Sequence, residues 1–224
     1  IVSGIRSAIH IDAGSDFGAG STLHMVNNTM VVTGTYDGLH AYFKDGGRFL
    51  YESTNNCEGE MLLYYPTGMH DSKIDVHNHA FLQYVYIYVT GDVSDSELNF
   101  IGTTVHKNFY LYATNWARSN ITFQNFQHNS GPFDLYTTTS VIDSDFTFVS
   151  STFASTGIHT IFGNMIDSNI KMDTVAFTQG TVTFTLGFLR SNSFITTSSF
   201  NKLVTYGRPI VDSFLTLMNC VVES

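Results

Sequence analysis

A short phrase returns along this chain about every 24 residues, and that return limits what the chain can fold into. Asp71-Ser72-Lys73-Ile74-Asp75-Val76 comes back as Asp95-Ser96-Glu97-Leu98-Asn99-Phe100, as Arg118-Ser119-Asn120-Ile121-Thr122-Phe123 and as Asp143-Ser144-Asp145-Phe146-Thr147-Phe148. Later copies begin at Asp167-Ser168, Arg190-Ser191 and Asp212-Ser213, so successive serines stand 24, 23, 25, 24, 23 and 22 residues apart. Upstream, Ser21 with Leu23 and Met25 fits the same register, and Gly47 with Phe49 and Tyr51 is a degenerate copy, which makes nine units. Self-similarity at such a period marks a solenoid, in which each unit buries its apolar face only by stacking on its neighbours.

The unit reads as strand. Apolar residues lie two and four places after each serine, and alternation of this kind sends successive side chains to opposite faces. Another apolar residue follows nine places after the serine, at Met30, Phe81, Val105, Phe153, Phe177, Phe200 and Val222. Between them, six places after the serine, comes a turn residue: Asn27, Asn78, Gly102, Asn125, Ser150, Thr174, Thr197 or Asn219. Asn and Gly tolerate left-handed backbone, and stacked asparagines here are expected to bond to one another along the axis. A second alternating run, such as Val85-Tyr86-Ile87-Tyr88-Val89 or Phe109-Tyr110-Leu111-Tyr112, completes many units. Three short strands per unit without a helical period predict an all-β chain, a parallel β-helix (solenoid) of about nine coils of about 24 residues. Leucine-rich and ankyrin repeats share similar periods, but their leucine and helix signatures are missing.

The phrase Met218-Asn219-Cys220-Val221-Val222 resembles the repeat of right-handed, pectin-lyase-like parallel β-helix proteins, and the coils of polymorphic outer-membrane proteins. The resemblance covers nearly the whole chain. It implies a right-handed parallel β-helix and no particular activity. Two positions break the pattern: Ser193 stands where an apolar residue is expected, and His128 takes the third apolar position of its coil. The first 20 residues are Gly-rich and fit only loosely.

Composition narrows the function. A single domain spanning residues 1–224 is expected, because a solenoid elongates through nearest-neighbour contacts. A net charge of −9 speaks against nucleic acid as a partner, since phosphate binding needs a basic surface. No apolar stretch reaches the length of a transmembrane helix. The chain begins at Ile1 without an initiator methionine or signal peptide, and its ninth strand stops two residues before the end with no cap. The expectation is a processed product that is either a segment of a longer solenoid or one covered by a stacked subunit. Cys57 lies in the second unit and Cys220 in the ninth, which places them roughly 34 Å apart at one strand spacing per unit, too far for a disulfide. Asn27 and Asn120 head Asn-X-Ser/Thr glycosylation acceptors. Asn120 falls in a column that must face water, with Lys73, Glu97, Asp145, Asn169 and Asn192.

Three sets of residues could carry chemistry. The residue before each serine forms a charge column, Asp71, Asp95, Arg118, Asp143, Asp167, Arg190 and Asp212. It reads as a structural ladder in which each arginine relieves the repulsion of aspartates one turn below and above. A cation site is disfavoured by the interposed arginines. Asp75, His77 and Asn99, with His79 nearby, and Lys171 with Asp173 come nearest to a hydrolase or lyase constellation, yet they lack a carboxylate pair across one groove. No catalytic residue, metal or cofactor is assigned. The third set is tyrosine. The outward positions of the second run hold Tyr84, Tyr86 and Tyr88, then Tyr110 and Tyr112, then Tyr136, with Tyr64 one coil earlier. An uncharged aromatic patch across four turns is expected to be a binding face, since tyrosine offers an apolar body and a hydroxyl handle. The expected role is an extracellular structural or adhesive solenoid, a subunit or segment of a filament or surface stalk. Its partners would be copies of itself, neighbouring solenoid subunits or glycans. A polysaccharide-binding or polysaccharide-cleaving β-helix of the tailspike or pectin-lyase type is the alternative. An ice-binding solenoid would need a flat threonine array, for which the single row Thr181, Thr183, Thr185 is the only sign.

Overall fold

The computed structural model describes residues 9–11, 21–26, 38–43, 47–52, 56–57, 59–154, 158–179, 181–200, 203–205 and 210–222. The chain winds into an all-β parallel solenoid with turns of about 24 residues and three parallel sheets. The repeated phrase forms a nine-stranded sheet, from Thr22–Val26 through Lys73–His77, Glu97–Ile101, Asn120–Gln124, Asp145–Val149 and Asn169–Asp173 to Phe214–Met218. Two-residue strands such as Ala80–Phe81, Thr104–Val105 and Thr152–Phe153 stack into an eight-stranded sheet. Asn56–Cys57 lies at one edge of that sheet and Val221–Val222, beside Cys220, at the other, so the two cysteines are at opposite ends. The third sheet has twelve strands and contains Glu60–Tyr65, Val85–Val89, Phe109–Ala117 and Phe133–Ile142.

Every unit pairs with the next in the register of the repeat. Leu98 lies against Ile74 on one side and Ile121 on the other. Leu98, Ile121, Phe146 and Ile170 all point inward and are buried. Because equivalent positions stack, like rings fall on like rings. Phe100 and Phe123 stack with centroids 5.2 Å apart, Phe123 and Phe148 at 5.1 Å, and Phe153 and Phe177 at 4.6 Å. Such offset stacks contribute about 0.5–1.5 kcal/mol each beyond the area they bury.

Register outranks the hydrophobicity of single residues. Ser193 pairs with Ile170 and Leu215 and is buried, while its neighbour Phe194 is sent outward and stands 50% exposed. A one-residue slip would bury Phe194 but invert every other side chain of that strand. His128 takes its place between Val105 and Phe153, fully enclosed among Phe133 and Phe153. Thr183 is in register with Thr160 and is largely covered, which removes it from any flat threonine array.

Two corners of each coil use left-handed backbone. The residue before each serine has a positive φ: Asp71 47°, Asp95 51°, Arg118 49°, Asp143 48°, Asp167 52°, Arg190 49° and Asp212 49°. At the other corner Asn78, Gly102, Asn125, Ser150, Thr174, Thr197 and Asn219 do the same, with φ between 48° and 61°. These are the turn positions the sequence marks, but the asparagines do not form a ladder. Gly102 separates Asn78 from Asn125, and Ser150, Thr174 and Thr197 follow before Asn219.

The side-chain ladder belongs to the serines. Hydrogen bonds between turns reverse direction at the first corner. Asp95 N–H donates forward to Ala117 O, while Glu97 N–H donates back to Ser72 O. The serine N–H between them has no carbonyl to meet, and the hydroxyl of the next serine accepts it. Ser72 N–H donates to Ser96 Oγ at 3.1 Å, Ser96 to Ser119 at 3.0 Å, Ser119 to Ser144 at 3.0 Å, Ser144 to Ser168 at 3.0 Å, Ser168 to Ser191 at 3.1 Å and Ser191 to Ser213 at 2.9 Å. Each hydroxyl in turn donates to the carbonyl two residues before it, as Ser144 does to Ile142 at 2.8 Å. The second corner repeats the device at Ser151, which accepts from Phe126 N–H at 3.1 Å, and at Ser198, which accepts from Val175 N–H at 3.1 Å.

Ser144 is 1% exposed, so Ser144→Ala strands the buried N–H of Ser119, while Ile142 O keeps the N–H of Arg118. The expected loss is about 1–3 kcal/mol, read as a lower urea midpoint. Ser150→Ala, six places later at the solvated second corner, is the control for substitution as such. Equal midpoints for Ser144→Ala and the parent would overturn the role given to the ladder.

Candidate functional site

The charge column lies along the first corner, where left-handed backbone turns the side chains into solvent. Left-handed backbone costs about 1–2 kcal/mol for most residues, while Asp visits it more readily, which accounts for the aspartates. The two arginines lack that preference and find compensation across the turn. Arg118 grips Asp95 with two parallel bonds, Nε to Oδ1 at 2.7 Å and Nη2 to Oδ2 at 2.6 Å, and Arg190 grips Asp167 at the same two distances. The expected acid–base–acid sets are therefore pairs. Both guanidinium forks are spent on the aspartate of the preceding turn, and Asp143 and Asp212 act on the arginines only through their charge. The hydrogen bonds from Arg118 and Arg190 hold the Asp95 and Asp167 carboxyls below the ordinary carboxylate range.

The residues nearest to a hydrolytic constellation are differently placed. Asp75 Oδ1 accepts from Asn99 Nδ2 at 2.8 Å, and Asp75 Oδ2 meets Lys73 Nζ at 3.1 Å. Asn99 also donates to Glu97 at 2.8 Å, and Lys73 reaches Glu97 at 3.3 Å. The carboxylate at Asp75, only 9% exposed, is thus taken up by its neighbours. His77 lies on the outer parity of its strand, whereas His79, beyond the turn at Asn78, packs inside against Tyr51 and Phe81 at 4.2 and 4.5 Å. Asp173 accepts from Thr196 Oγ1 at 2.7 Å. Asn120 is exposed on its strand between Glu97 and Asp145, while Asn27 falls outside the described residues.

The tyrosines come together. Val85, Ile87 and Val89 point inward, as do Phe109, Leu111, Phe133 and Leu135, so the alternate residues form the outer face. Register then sorts them into two columns. Tyr86 lies beside Leu62 and Tyr110, and Tyr110 beside Asp134. Tyr64, Tyr88, Tyr112 and Tyr136 follow one another in the second column, and the backbone of Tyr42 continues it. Tyr84 joins at the strand edge, its ring 5.7 Å from Tyr86 and under Lys107 Nζ at 5.3 Å. All seven are half-buried or exposed, with Tyr88 the most open.

The packing differs along the array. Tyr64 and Tyr88 stack at 5.5 Å and 22°, and Tyr86 and Tyr110 at 5.1 Å and 15°. Tyr88 and Tyr112 are splayed by 52°, and Tyr112 and Tyr136 by 59°. The array ends at an irregularity in register. Ala113 pairs with Thr137 but Asn115 with Ser140, which leaves an extra residue beside Tyr136. At the splayed end a groove of about 220 Å³ opens along Tyr88, Tyr112, Tyr136, Thr90, Thr114 and Thr138. The threonines went unremarked in the sequence reading, yet Tyr88-Val89-Thr90, Tyr112-Ala113-Thr114 and Tyr136-Thr137-Thr138 repeat at intervals of 24 residues. A larger depression of about 480 Å³ lies between the outward Phe194 and Phe214.

Burial raises the Tyr110 hydroxyl pKa, as it does that of Tyr112, and the Asp134 carboxylate adds to both; Tyr112 is pushed up to about 12. Asn108 Nδ2 donates to Tyr110 Oη at 2.9 Å. Tyr110 and Tyr112 therefore remain neutral phenols at physiological pH.

Comparison of the chain with protein-family models, with characterised proteins and with solved structures gives no match. The likeness to pectin-lyase-like and polymorphic outer-membrane coils thus stands as one of repeat pattern and parallel β-solenoid fold.

Two outcomes follow. Arg118→Met should lower the melting temperature more at low than at high ionic strength, because salt already screens an exposed pair; a loss independent of salt would leave the column without an electrostatic role. Tyr112 loses its proton near pH 10 when unfolded but near 12 when folded, so the unfolded state deprotonates first. Stability should fall as pH rises through that window, and Tyr112→Phe should make the fall shallower in thermal melts at pH 10 to 11. Parallel curves for parent and variant would contradict the assignment.

Proposed function

We propose that this chain is an extracellular structural or adhesive β-solenoid, at a cell or particle surface, that makes its contacts through the tyrosine face. The observation that supports this is the pair of outward, in-register tyrosine columns. Seven rings face outward on consecutive turns of a chain whose net charge is −9, where a free-standing sheet face would carry charged or small polar groups. Like-charged copies repel over most of their surface and can approach most closely at a face where uncharged rings predominate. The partners that fit are a neighbouring solenoid subunit or a glycan. The outward Asn120 sequon and the resemblance to surface-protein coils agree with that location. Cleavage is not part of the reading, because the Asp75 carboxylate is bonded by Asn99 and Lys73.

Tyr88→Ser combined with Tyr112→Ser tests this. The inward residues are untouched, so circular dichroism should be unchanged. Assembly by light scattering and electron microscopy, and adhesion to cell or glycan-coated surfaces, should be lost, because aromatic anchors dominate contact energies. A double variant that assembles and adheres like the parent, or a parent that does neither, would sink the reading.

A further inference from the structure

The tyrosine face is not uniform, and its two ends can do different things. Where rings stack face to face, as Tyr86 does on Tyr110 and Tyr64 on Tyr88, each face is occupied by the next ring and only edges and hydroxyls meet solvent. Tyr88 and Tyr112 each stack on one neighbour, Tyr64 and Tyr110, but Tyr88, Tyr112 and Tyr136 are splayed from one another by 52° and 59°, and these three rings line the groove. Its other side is a column of threonines, one per turn. Thr138 Oγ1 donates to Thr114 O at 3.3 Å, and Thr90 Oγ1 donates to Pro66 O. Hydroxyls that donate to the backbone keep their lone pairs directed outward, ready to accept from a ligand.

We propose that this groove is a binding site for a neutral glycan. The inference rests on the reading of the tyrosine face as a contact surface and names its partner. Flat apolar ring faces beside a row of hydroxyls match a sugar ring, which has an apolar C–H face and a hydroxyl rim. None of the eight lining residues is charged. A uronate or other anion would find no cation in the groove, within a chain of net charge −9, and would meet the Asp134 carboxylate beside Tyr112. A second copy of this chain fits poorly at this point. Two copies related by a twofold axis would set groove against groove and enclose a void, whereas contacts between copies need self-complementary surfaces.

The test is retardation of the folded protein in native gels containing a soluble β-glucan, a mannan or a xylan as neutral probes, with polygalacturonate as the acidic one. At least one neutral polymer should retard the parent, and polygalacturonate should not. Thr114→Val keeps the shape and removes one hydroxyl, which should weaken binding about fivefold. Tyr112→Ala should abolish it with circular dichroism unchanged, and Tyr112→Phe, which retains the ring face, should bind within a few-fold of the parent. The inference is overturned if no neutral polymer retards the parent, if polygalacturonate retards it equally, or if Thr114→Val binds like the parent. Light scattering on the same samples separates the two readings. A parent that assembles through its tyrosines yet ignores all three neutral polymers overturns the glycan site and leaves the contact face standing.

Discussion

The structure depends on one backbone N–H per turn. At the first corner the hydrogen bonds between turns reverse direction, and the amide at the point of reversal faces no carbonyl. A buried amide without a partner costs about 1–3 kcal/mol, and the solenoid would meet that cost at every turn. A serine at that point supplies the acceptor for its neighbour below and finds its own in the neighbour above, from Ser72 to Ser213. No other side chain does this as compactly. The hydroxyl is short enough to remain at the corner, and it can accept from one turn while donating to its own backbone. The serine is the most regular mark in the sequence because, from Ser72 to Ser213, the hydrogen bonding between turns passes through it.

Stacking at one strand spacing has a second consequence, since whatever occupies a position is set against its equivalents above and below. Inside, this aligns Phe100, Phe123 and Phe148 into a packed aromatic column. Outside, it makes every surface feature a column. Like charges in a column would repel, and Arg118 and Arg190 break that run by closing on Asp95 and Asp167. Uncharged rings can repeat without penalty, and tyrosine does so for four turns of the third sheet. A binding surface on such a fold is therefore a stripe along the axis, suited to a partner that is itself extended, such as another solenoid or a polymer chain.

The stripe acquires a defined site where its regularity fails. In-register tyrosines stack, and a stack satisfies itself. An extra residue between Thr137 and Ser140 follows the last tyrosine pair, and the rings there are splayed rather than parallel. That opening brings Thr90, Thr114 and Thr138 into one wall with the ring faces. The proposed site thus lies where a repetitive surface becomes irregular, and bulges are common at sheet edges and beside functional sites.

Much of this was legible in the chain. The interval between serines, the alternation after them and the turn residue six places on determine a parallel β-solenoid, its inward residues and the outward parity of the tyrosines, because strand geometry leaves a period of two no other reading. The left-handed corners were half visible. The turn column announces itself by Asn and Gly, whereas the residue before the serine reads first as a charge and only the backbone shows it to be a corner. What the serine is for could not be read from spacing, since the reversal of hydrogen bonds is a property of two turns together. The pairing of each arginine with the aspartate below rather than above, the burial of Ser193 in place of Phe194, and the splay of Tyr88, Tyr112 and Tyr136 were decided by tertiary structure alone. Each depends on how a side chain meets the neighbouring turn in three dimensions, and a one-dimensional period specifies which residues are neighbours without specifying the direction in which they lean.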